Sequence, residues 1–259
     1  MKALSLKVVR SMQKTDTKVL MVTAALANEG KSSVAINLAR YIKAGNPNKK
    51  VALIDLDLRK LSVSRELENK KNYCSLSRLL GETRTVKKRF IDNKVLRVQS
   101  ESCDKKIKRL FNENPKDFVV FGSDAPSKSP EKKLNDEKMY DFMKELRAIA
   151  DYVIIDSPPC AITTDPLLIS EYSDGILFVI RQDSTHRWTI LDCINNISTR
   201  GCNIIGGVLN AAKESILDPG YSYGYYGYGR YGKYGKYGYR SCGGYGYGKY
   251  DYDEATEKK

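Results

Sequence analysis

The sequence predicts an α/β fold in which helices cover both faces of a mostly parallel sheet. Three observations carry this prediction. Short runs of apolar, β-favouring residues recur along the chain, and helical stretches separate several of them. This alternation is typical of βαβ units. Polar residues directly follow several of the apolar runs, and the carboxyl ends of parallel strands are where open sheets bind ligands.

The individual elements follow from the hydrophobic periodicity. Apolar residues recur at helical spacing after Gly30 and again over residues 131–150. Residues 61–117 are charge-rich, with a short helix expected at 75–80 and an exposed helix or an insertion at 105–114. The predicted strands are the apolar runs at residues 19–23, 51–54, 118–121, 153–155, 176–180 and 204–209.

The composition fits one folded domain followed by a tail. The formal charge of +13 predicts attraction to nucleic acid, an anionic membrane surface or phosphorylated protein, or simply a soluble basic surface. The six cysteines include no C-x-x-C pair, and His186 is the single histidine, so neither a zinc site nor histidine-based catalysis is favoured. The chain shows no signal peptide and no apolar run of membrane-spanning length, so we expect a cytoplasmic location.

The chain divides into three predicted regions. Residues 1–18 form an N-terminal segment, residues 19–217 the folded domain and residues 218–259 a flexible tail. Thirteen tyrosines lie between residues 221 and 252, separated mostly by glycine with scattered lysine and arginine. A segment of this composition lacks the aliphatic residues needed for a packed core. An inert linker is the simplest alternative interpretation of this tail.

The chain around Gly30 has the pattern of a phosphate-binding loop. An apolar strand is followed by A-L-A-N-E-G-K-S-S and then by an amphipathic helix, which is the context that such a loop requires. Lys31 is expected to reach the β- and γ-phosphates, and the Ser32 hydroxyl to ligate Mg²⁺. Ala25 stands where the motif usually begins with glycine. The predicted nucleotide-binding residues of the loop are Ala27, Asn28, Glu29, Gly30, Lys31, Ser32 and Ser33.

Three aspartates follow predicted strands. Asp55 and Asp57 come after the second strand, and Asp156 comes after the run Val153–Ile155. Beside a bound Mg-nucleotide, one carboxylate can hold the waters of the metal while another accepts a proton from an incoming hydroxyl. The alternative is that these aspartates only cap the loops or helices that follow. We favour a metal site of Ser32, Asp55 and Asp156 and a catalytic group of Asp55, Asp57 and Lys31.

These motifs resemble those of the bacterial tyrosine kinases of capsular and exopolysaccharide synthesis. V-A-L-I-D-L-D-L-R-K is similar to their second Walker motif, A-A-L-A-N-E-G-K-S-S to Walker A and Y-V-I-I-D-S-P-P to Walker B. The resemblance implies a P-loop NTPase fold, ATP and Mg²⁺ as cofactors, and Asp55 as catalytic base or ligand of a metal-bound water. It also implies that Asn210 contacts the adenine, with a strand-end turn residue as the alternative.

The resemblance further implies autophosphorylation of the tail, with the tail of one subunit entering the site of a neighbour. Glycine supplies the slack that an acceptor needs to reach a buried phosphate. The implied phosphoacceptors are Tyr221, Tyr223, Tyr225, Tyr226, Tyr228, Tyr231, Tyr234, Tyr237, Tyr239, Tyr245, Tyr247, Tyr250 and Tyr252.

The same resemblance implies a set of partners. These are a membrane adaptor of the polysaccharide co-polymerase type that recruits the chain to the inner face of the membrane, other copies bound through tail docking, and a tyrosine phosphatase. Nucleic acid is not an obligate partner. Three departures from the family stand out: Ala27-Asn28 replaces the usual Pro-Gly, residues 1–18 lack a Glu-x-x-Arg-x-x-Arg pattern, and the stretch between Asp55 and Asp156 is longer than expected, consistent with an insertion around residues 85–115. Asn tolerates the left-handed backbone conformation better than most residues.

Two other functions remain open from the sequence. A partitioning or cell-division ATPase would share the fold, but such proteins carry a lysine where this chain has Leu26. The chain could instead be a nucleotide-switched module that binds nucleic acid through its tail. Its tyrosines would stack on bases, and its lysines and arginines would contact the phosphates.

Overall fold

A computed structural model describes residues 1–80, 102–199 and 201–212, together with the backbone of a short hairpin at 90–91 and 94–95. The predicted tail, with all its tyrosines, lies outside the described residues, as does much of the expected insertion around residues 85–115.

Seven strands form one parallel sheet, in the order β3-β6-β2-β7-β1-β8-β9. All six predicted strands belong to it, and the predicted fold class is confirmed. The remaining two strands, β4 and β5, pair with each other in an antiparallel hairpin. The strands are β1 (Val19–Ala24), β2 (Val51–Asp55), β3 (Tyr73–Ser75), β4 (Phe90–Ile91), β5 (Lys94–Val95), β6 (Val119–Gly122), β7 (Tyr152–Asp156), β8 (Gly175–Arg181) and β9 (Asn203–Asn210).

Helices connect and cover these strands. The helices within the described residues are α1 (Lys2–Lys14), α2 (Lys31–Gly45), α3 (Ser62–Leu67), α4 (Leu76–Leu79), α5 (Cys103–Glu113), α6 (Pro130–Leu134), α7 (Glu137–Ile149), α8 (Asp165–Ser170) and α9 (Arg187–Ser198).

Three details differ from the sequence-based prediction. The single helix predicted over 131–150 is two helices, α6 and α7. Asp136 is the N-cap of α7, since its carboxylate accepts a hydrogen bond from the Lys138 N–H. Strand β3 was not predicted, since it has only three residues. The helix expected to be exposed near residue 105 is amphipathic, with Ile107 and Phe111 buried one turn apart.

The sheet separates two hydrophobic clusters. Along β1, Val19 and Met21 belong to one cluster, whereas Leu20 and Val22 belong to the other. Since successive side chains of a strand point to opposite faces, both faces of this strand are covered. This explains why the predicted strands are continuous apolar runs rather than alternating ones. In the described part of the chain, no helix combines the length and apolarity needed to cross a bilayer.

Candidate functional site

The phosphate-loop motif occupies the turn between β1 and α2, as predicted. The loop needs two left-handed backbone positions, at Asn28 (φ 63°) and at Gly30 (φ 96°). Asn28 therefore adopts the conformation that its side chain was expected to tolerate. The positive φ of Gly30 favours glycine, and a Cβ atom there would lie 2.1 Å from Asn210 Nδ2, so that the Asn210 amide or the loop would have to shift.

Glu29 anchors the loop from within. Its side chain is fully buried and its carboxylate accepts hydrogen bonds from the Leu26 N–H at 2.8 Å and the Thr185 hydroxyl at 2.7 Å. Its backbone carbonyl accepts a hydrogen bond from Asn210 Nδ2 at 2.9 Å. The carboxylate of Glu29 and the amide of Asn210, both predicted to contact the nucleotide, thus brace the loop in this structure.

Lys31 and Asp57 form a buried ion pair. Lys31 Nζ lies 3.0 Å from Asp57 Oδ2, and the two side chains are 6% and 3% exposed. Asp57 is held in turn by the backbone N–H of Lys60, which donates to Oδ1 at 3.1 Å. The pair joins the start of α2 to the segment that follows β2. Breaking such a pair leaves one buried charge without its partner.

Asp55 and Asp156 lie side by side at the ends of adjacent strands, where they are paired in register. The Ser64 N–H and hydroxyl both donate to Asp55 Oδ2 at 2.8 Å. Within the described residues, Asp55 Oδ1 and both oxygens of Asp156 are buried without a hydrogen-bond partner. The Ser32 hydroxyl neighbours Asp156 but lies outside hydrogen-bond geometry.

Burial dominates the electrostatics of this carboxylate pair. It raises the pKa of Asp156 to about 7, against the opposing attraction of the Lys31 ammonium. It also raises the pKa of Asp55 to about 6, although the hydrogen bonds from Ser64 act in the other direction. The charge of Asp55 raises the pKa of Asp156 further, and the charge of Asp57 raises the pKa of Asp55, because like charges repel.

The unpartnered oxygens fit a divalent cation that arrives with a nucleotide. Mg²⁺ in nucleotide sites is held by one or two carboxylates together with phosphate oxygens and waters. Asp55, Asp156 and the Ser32 hydroxyl can supply that set. No group of three or more His, Cys, Asp or Glu side chains suited to a metal occurs among the described residues. Two carboxylates and one hydroxyl are the kind of ligand set that suits a metal shared with phosphate oxygens.

A cleft of 280 Å³ opens in front of the loop. Two cations reach Asn28 at its edge: Lys60 Nζ donates to Oδ1 at 2.8 Å, and Arg181 Nη1 donates to the backbone carbonyl at 3.1 Å. The cleft is lined by Asn28, Gly30, Lys31, Ser32, Ser33, Lys60, Ser62 and Glu66. The loop residues predicted to bind phosphate and the predicted carboxylates thus meet at one edge of the sheet.

Sequence reasoning missed several residues that support this site. Arg59 forms a two-pronged contact with the fully buried Asp165, through Nε at 2.8 Å and Nη2 at 3.2 Å. Ser64 and Thr185 hold Asp55 and Glu29, as described above. The arginine of D-L-D-L-R was visible as part of a motif, but its partner lies 106 residues away, and no local pattern indicates it.

The sequence of this chain is similar to those of known ATPases and tyrosine-protein kinases. The family model described as "ATPase MipZ" matches residues 18–132. Tyrosine-protein kinase YwqD of Bacillus subtilis is 29% identical over 210 residues, covering 80% of this chain and 77% of YwqD. Putative tyrosine-protein kinase EpsB of Ralstonia nicotianae is 28% identical over 83% of this chain, which spans only 25% of EpsB.

The fold of this chain is also similar to that of a solved structure. The kinase domain of the Escherichia coli tyrosine kinase ETK superposes with a TM-score of 0.63 at 22% identity, covering 84% of this chain and 77% of that domain. The sequence relatives confirm the predicted resemblance to the bacterial tyrosine kinases, and the solved structure shows a shared fold. The shared P-loop fold also supports the predicted binding of nucleotide.

Proposed function

We propose that this chain, as a P-loop relative of the bacterial tyrosine kinases, is itself an ATP-dependent protein-tyrosine kinase that phosphorylates its own C-terminal tyrosines. One observation carries the proposal: at a single sheet edge, the phosphate loop faces two buried carboxylates with free oxygens, Asp55 and Asp156. An ATPase that only switches needs a positioned water, whereas a kinase needs a base for an incoming hydroxyl.

Each residue of the site has a distinct role in the proposed phosphoryl transfer. Mg-ATP, when bound, supplies the phosphoryl group and the charge neutralisation that its transfer requires. Asp156 and Ser32 would hold the metal. Asp55 is the base that accepts the proton of the tyrosine hydroxyl, and its pKa of about 6 leaves it ionised at neutral pH. Lys31 would turn from Asp57 to neutralise phosphate, and Asp57 would keep its hydrogen bond from the Lys60 N–H and stay near Asp55.

The biological setting of the proposal follows the relatives. We propose that the kinase regulates capsular or exopolysaccharide synthesis, and that a membrane adaptor activates it and brings it to the inner face of the membrane. A tyrosine phosphatase would reverse the modification. The tail tyrosines are the proposed acceptors, entering the site of a neighbouring subunit.

The primary test is incubation of the purified chain with Mg-ATP, followed by mass spectrometry of the tail peptides. The adaptor's cytoplasmic segment is included in a parallel sample, because the kinase chain can depend on it for activity. We expect phosphate on tail tyrosines in the wild type and none in Lys31→Met. Absence of phosphotyrosine in both samples, although ATP is bound, would exclude the kinase.

Tail phosphorylation should also control assembly. Each phosphate adds about −1.5 to −2 charge at neutral pH, so several would reverse the sign of the basic tail. We expect phosphorylated chains to sediment as smaller species than unphosphorylated chains, since tails of like charge repel one another. An unchanged sedimentation coefficient after full phosphorylation would contradict this regulation.

The second candidate is a P-loop ATPase switch, which the match of residues 18–132 to the MipZ family favours. The two functions differ in the acceptor of the phosphoryl group, which is water in the switch and tyrosine in the kinase. Release of inorganic phosphate without phosphotyrosine, even with an adaptor present, would support the switch.

A further inference from the structure

Lys60 occupies a position at the phosphate cleft that the proposed mechanism does not use. It follows the D-L-D-L-R run and precedes α3, and its exposed side chain crosses to the phosphate loop. There Nζ donates to Asn28 Oδ1 at 2.8 Å, on the wall of the cleft that Lys31 and Ser32 also line. The partner is a neutral amide, so this contact does not offset the charge of Lys60.

The charges around the cleft favour an additional cation at the position of Lys60. Lys31, the motif lysine, is already neutralised by Asp57 at 3.0 Å. Asp55 and Asp156 add two further carboxyl groups at the same edge of the sheet. A nucleotide brings several negative charges to these carboxylates, and like charges repel strongly where water is excluded. Lys60, which contacts no carboxylate in the part of the chain that the structure describes, favours the entry of the nucleotide.

The direction from which Lys60 arrives indicates which phosphate it meets. The loop N–H groups and the start of α2 cradle the inner phosphates in a site of this kind. Lys60 instead comes from the segment after β2, three residues beyond Asp57, on the side of the carboxylates. The terminal phosphate is the one that lies between the loop and those carboxylates during transfer.

We propose that Lys60 is a phosphate-binding residue that exchanges its hydrogen bond with Asn28 for one with the terminal phosphate of ATP. This inference rests on the proposed function and adds a specificity determinant to it. Lys60 favours ATP over ADP, because ADP lacks the phosphate that the ammonium reaches. In the nucleotide-free chain, Asn28 holds the ammonium at the edge of the cleft.

A purely structural role for Lys60 makes a different prediction. In that case Lys60 would act by holding Asn28 in its left-handed conformation (φ 63°). The backbone carbonyl of Asn28 is also held by Arg181. Asn28→Gly separates the two roles, since glycine adopts a positive φ easily and removes the side chain to which Lys60 is bound. It thereby frees Lys60 while leaving the loop backbone able to fold.

The experiment is equilibrium titration of the full chain with Mg-ATP and with Mg-ADP, without turnover as a readout. The variants are Lys60→Met, Lys60→Gln, Lys60→Arg and Asn28→Gly, with Lys70→Met as a matched exposed lysine outside the cleft. Since hydrogen bonds to charged groups contribute about 1.5–3 kcal/mol, we expect Lys60→Met and Lys60→Gln to weaken ATP binding by about tenfold or more. We expect ADP binding to weaken by less than about threefold, because the inner phosphates keep their contacts.

Lys60→Arg should retain most of the preference for ATP, Lys70→Met should match the wild type, and Asn28→Gly should keep the wild-type ratio of ATP affinity to ADP affinity. Equal losses for ATP and ADP in Lys60→Met, or no loss, would overturn the assignment. So would a loss of the preference for ATP over ADP in Asn28→Gly that equals the loss in Lys60→Met. If the wild type bound neither nucleotide, the proposed function itself would fail, which is a separate outcome. Melting temperatures establish that each variant is folded.

Discussion

At the scale of single residues, the site is defined by burial of charge. Three carboxyl groups and the Lys31 ammonium lie at one edge of the sheet, and each carboxyl is almost fully buried. Burial raises the pKa of Asp156 and of Asp55 because water no longer stabilises their charged forms. The burial of these carboxylates therefore has an electrostatic cost, which a bound cation would relieve.

The first prediction concerns Asp156→Asn. The folded protein prefers the protonated form of Asp156, so the stability associated with this group is fully present below its ordinary pKa of 3.8 and is lost as pH rises to about 7. Replacing the carboxylate removes that loss. We expect the nucleotide-free variant to melt at a higher temperature than the wild type at pH 8, with a smaller difference at pH 5, measured by thermal denaturation.

The same variant should bind Mg-ATP more weakly, since it lacks a charged metal ligand. In the wild type, Mg-ATP affinity should rise between pH 5.5 and pH 8 as the two carboxyl groups lose their protons. Asp151→Asn, at an exposed ion pair outside the site, serves as the control. A melting difference that is independent of pH would contradict the assignment of the buried charge.

At the scale of elements, the site depends on contacts between segments that are distant in the chain. The phosphate loop is braced by β9 through Asn210 and by Thr185 before α9. The segment after β2 is tied to α8 through Arg59 and Asp165. These ties hold the flanking segments in place relative to the carboxyl ends of β2 and β7.

The second prediction concerns Gly30→Ala. A Cβ atom at this left-handed position would lie 2.1 Å from Asn210 Nδ2, so either the loop or the amide must move. We expect a loss of stability of about 1–3 kcal/mol and a marked loss of nucleotide affinity, measured by denaturation and by titration with Mg-ADP. Gly45→Ala, where a Cβ meets nothing within 4 Å, is the matched control. Equal behaviour of the two variants would show that the close approach to Asn210 is unimportant.

The third prediction concerns Arg59→Lys. Lysine keeps the charge but cannot make the two parallel hydrogen bonds to the buried Asp165, so we expect the free energy of unfolding to fall by about 1–2 kcal/mol. Glu131→Gln removes the exposed partner of the same arginine and should cost less than about 0.5 kcal/mol. Urea denaturation measures both changes. A larger loss in Glu131→Gln than in Arg59→Lys would reverse the assigned roles.

At the scale of the whole molecule, the sheet and the predicted nucleotide site precede the tyrosine-rich tail along the chain. The chain divides into a compact unit, Met1–Ile216, and a second unit, Leu217–Lys259. All the proposed acceptors belong to the second unit, whereas the predicted catalytic, metal-binding and nucleotide-binding residues belong to the first. The proposed enzyme and its substrate are thus separate segments of one chain.

The fourth prediction concerns truncation after Ile216. We expect the shortened chain to melt at the same temperature as the full chain and to bind Mg-ATP with unchanged affinity, because both hydrophobic clusters are retained. It should lose autophosphorylation. Added to a full-length Lys31→Met chain, it should phosphorylate the tail of that chain, detected by mass spectrometry. Failure of this complementation in the presence of an adaptor would contradict transfer between subunits.

The sequence by itself determined the fold class, the six main strands, the phosphate loop and the carboxylates that follow the strands. It could do so because periodicity, a glycine-lysine-serine turn and strand-end aspartates are local patterns set by backbone geometry. The position of Asn28 in a left-handed conformation was likewise predictable from its residue type.

Only the tertiary structure decided which of these groups meet and in what state. In the folded sheet, Asp55 lies in register beside Asp156, and Lys31 forms an ion pair with Asp57. Glu29 and Asn210 support the phosphate loop through a hydrogen bond. Lys60 lies at the cleft, where it donates to Asn28. The pKa shifts of Asp55 and Asp156 and the contact between Arg59 and Asp165 likewise depend on the tertiary structure. Such contacts join residues tens to hundreds of positions apart, and strand order in the folded sheet, which no local pattern encodes, determines them.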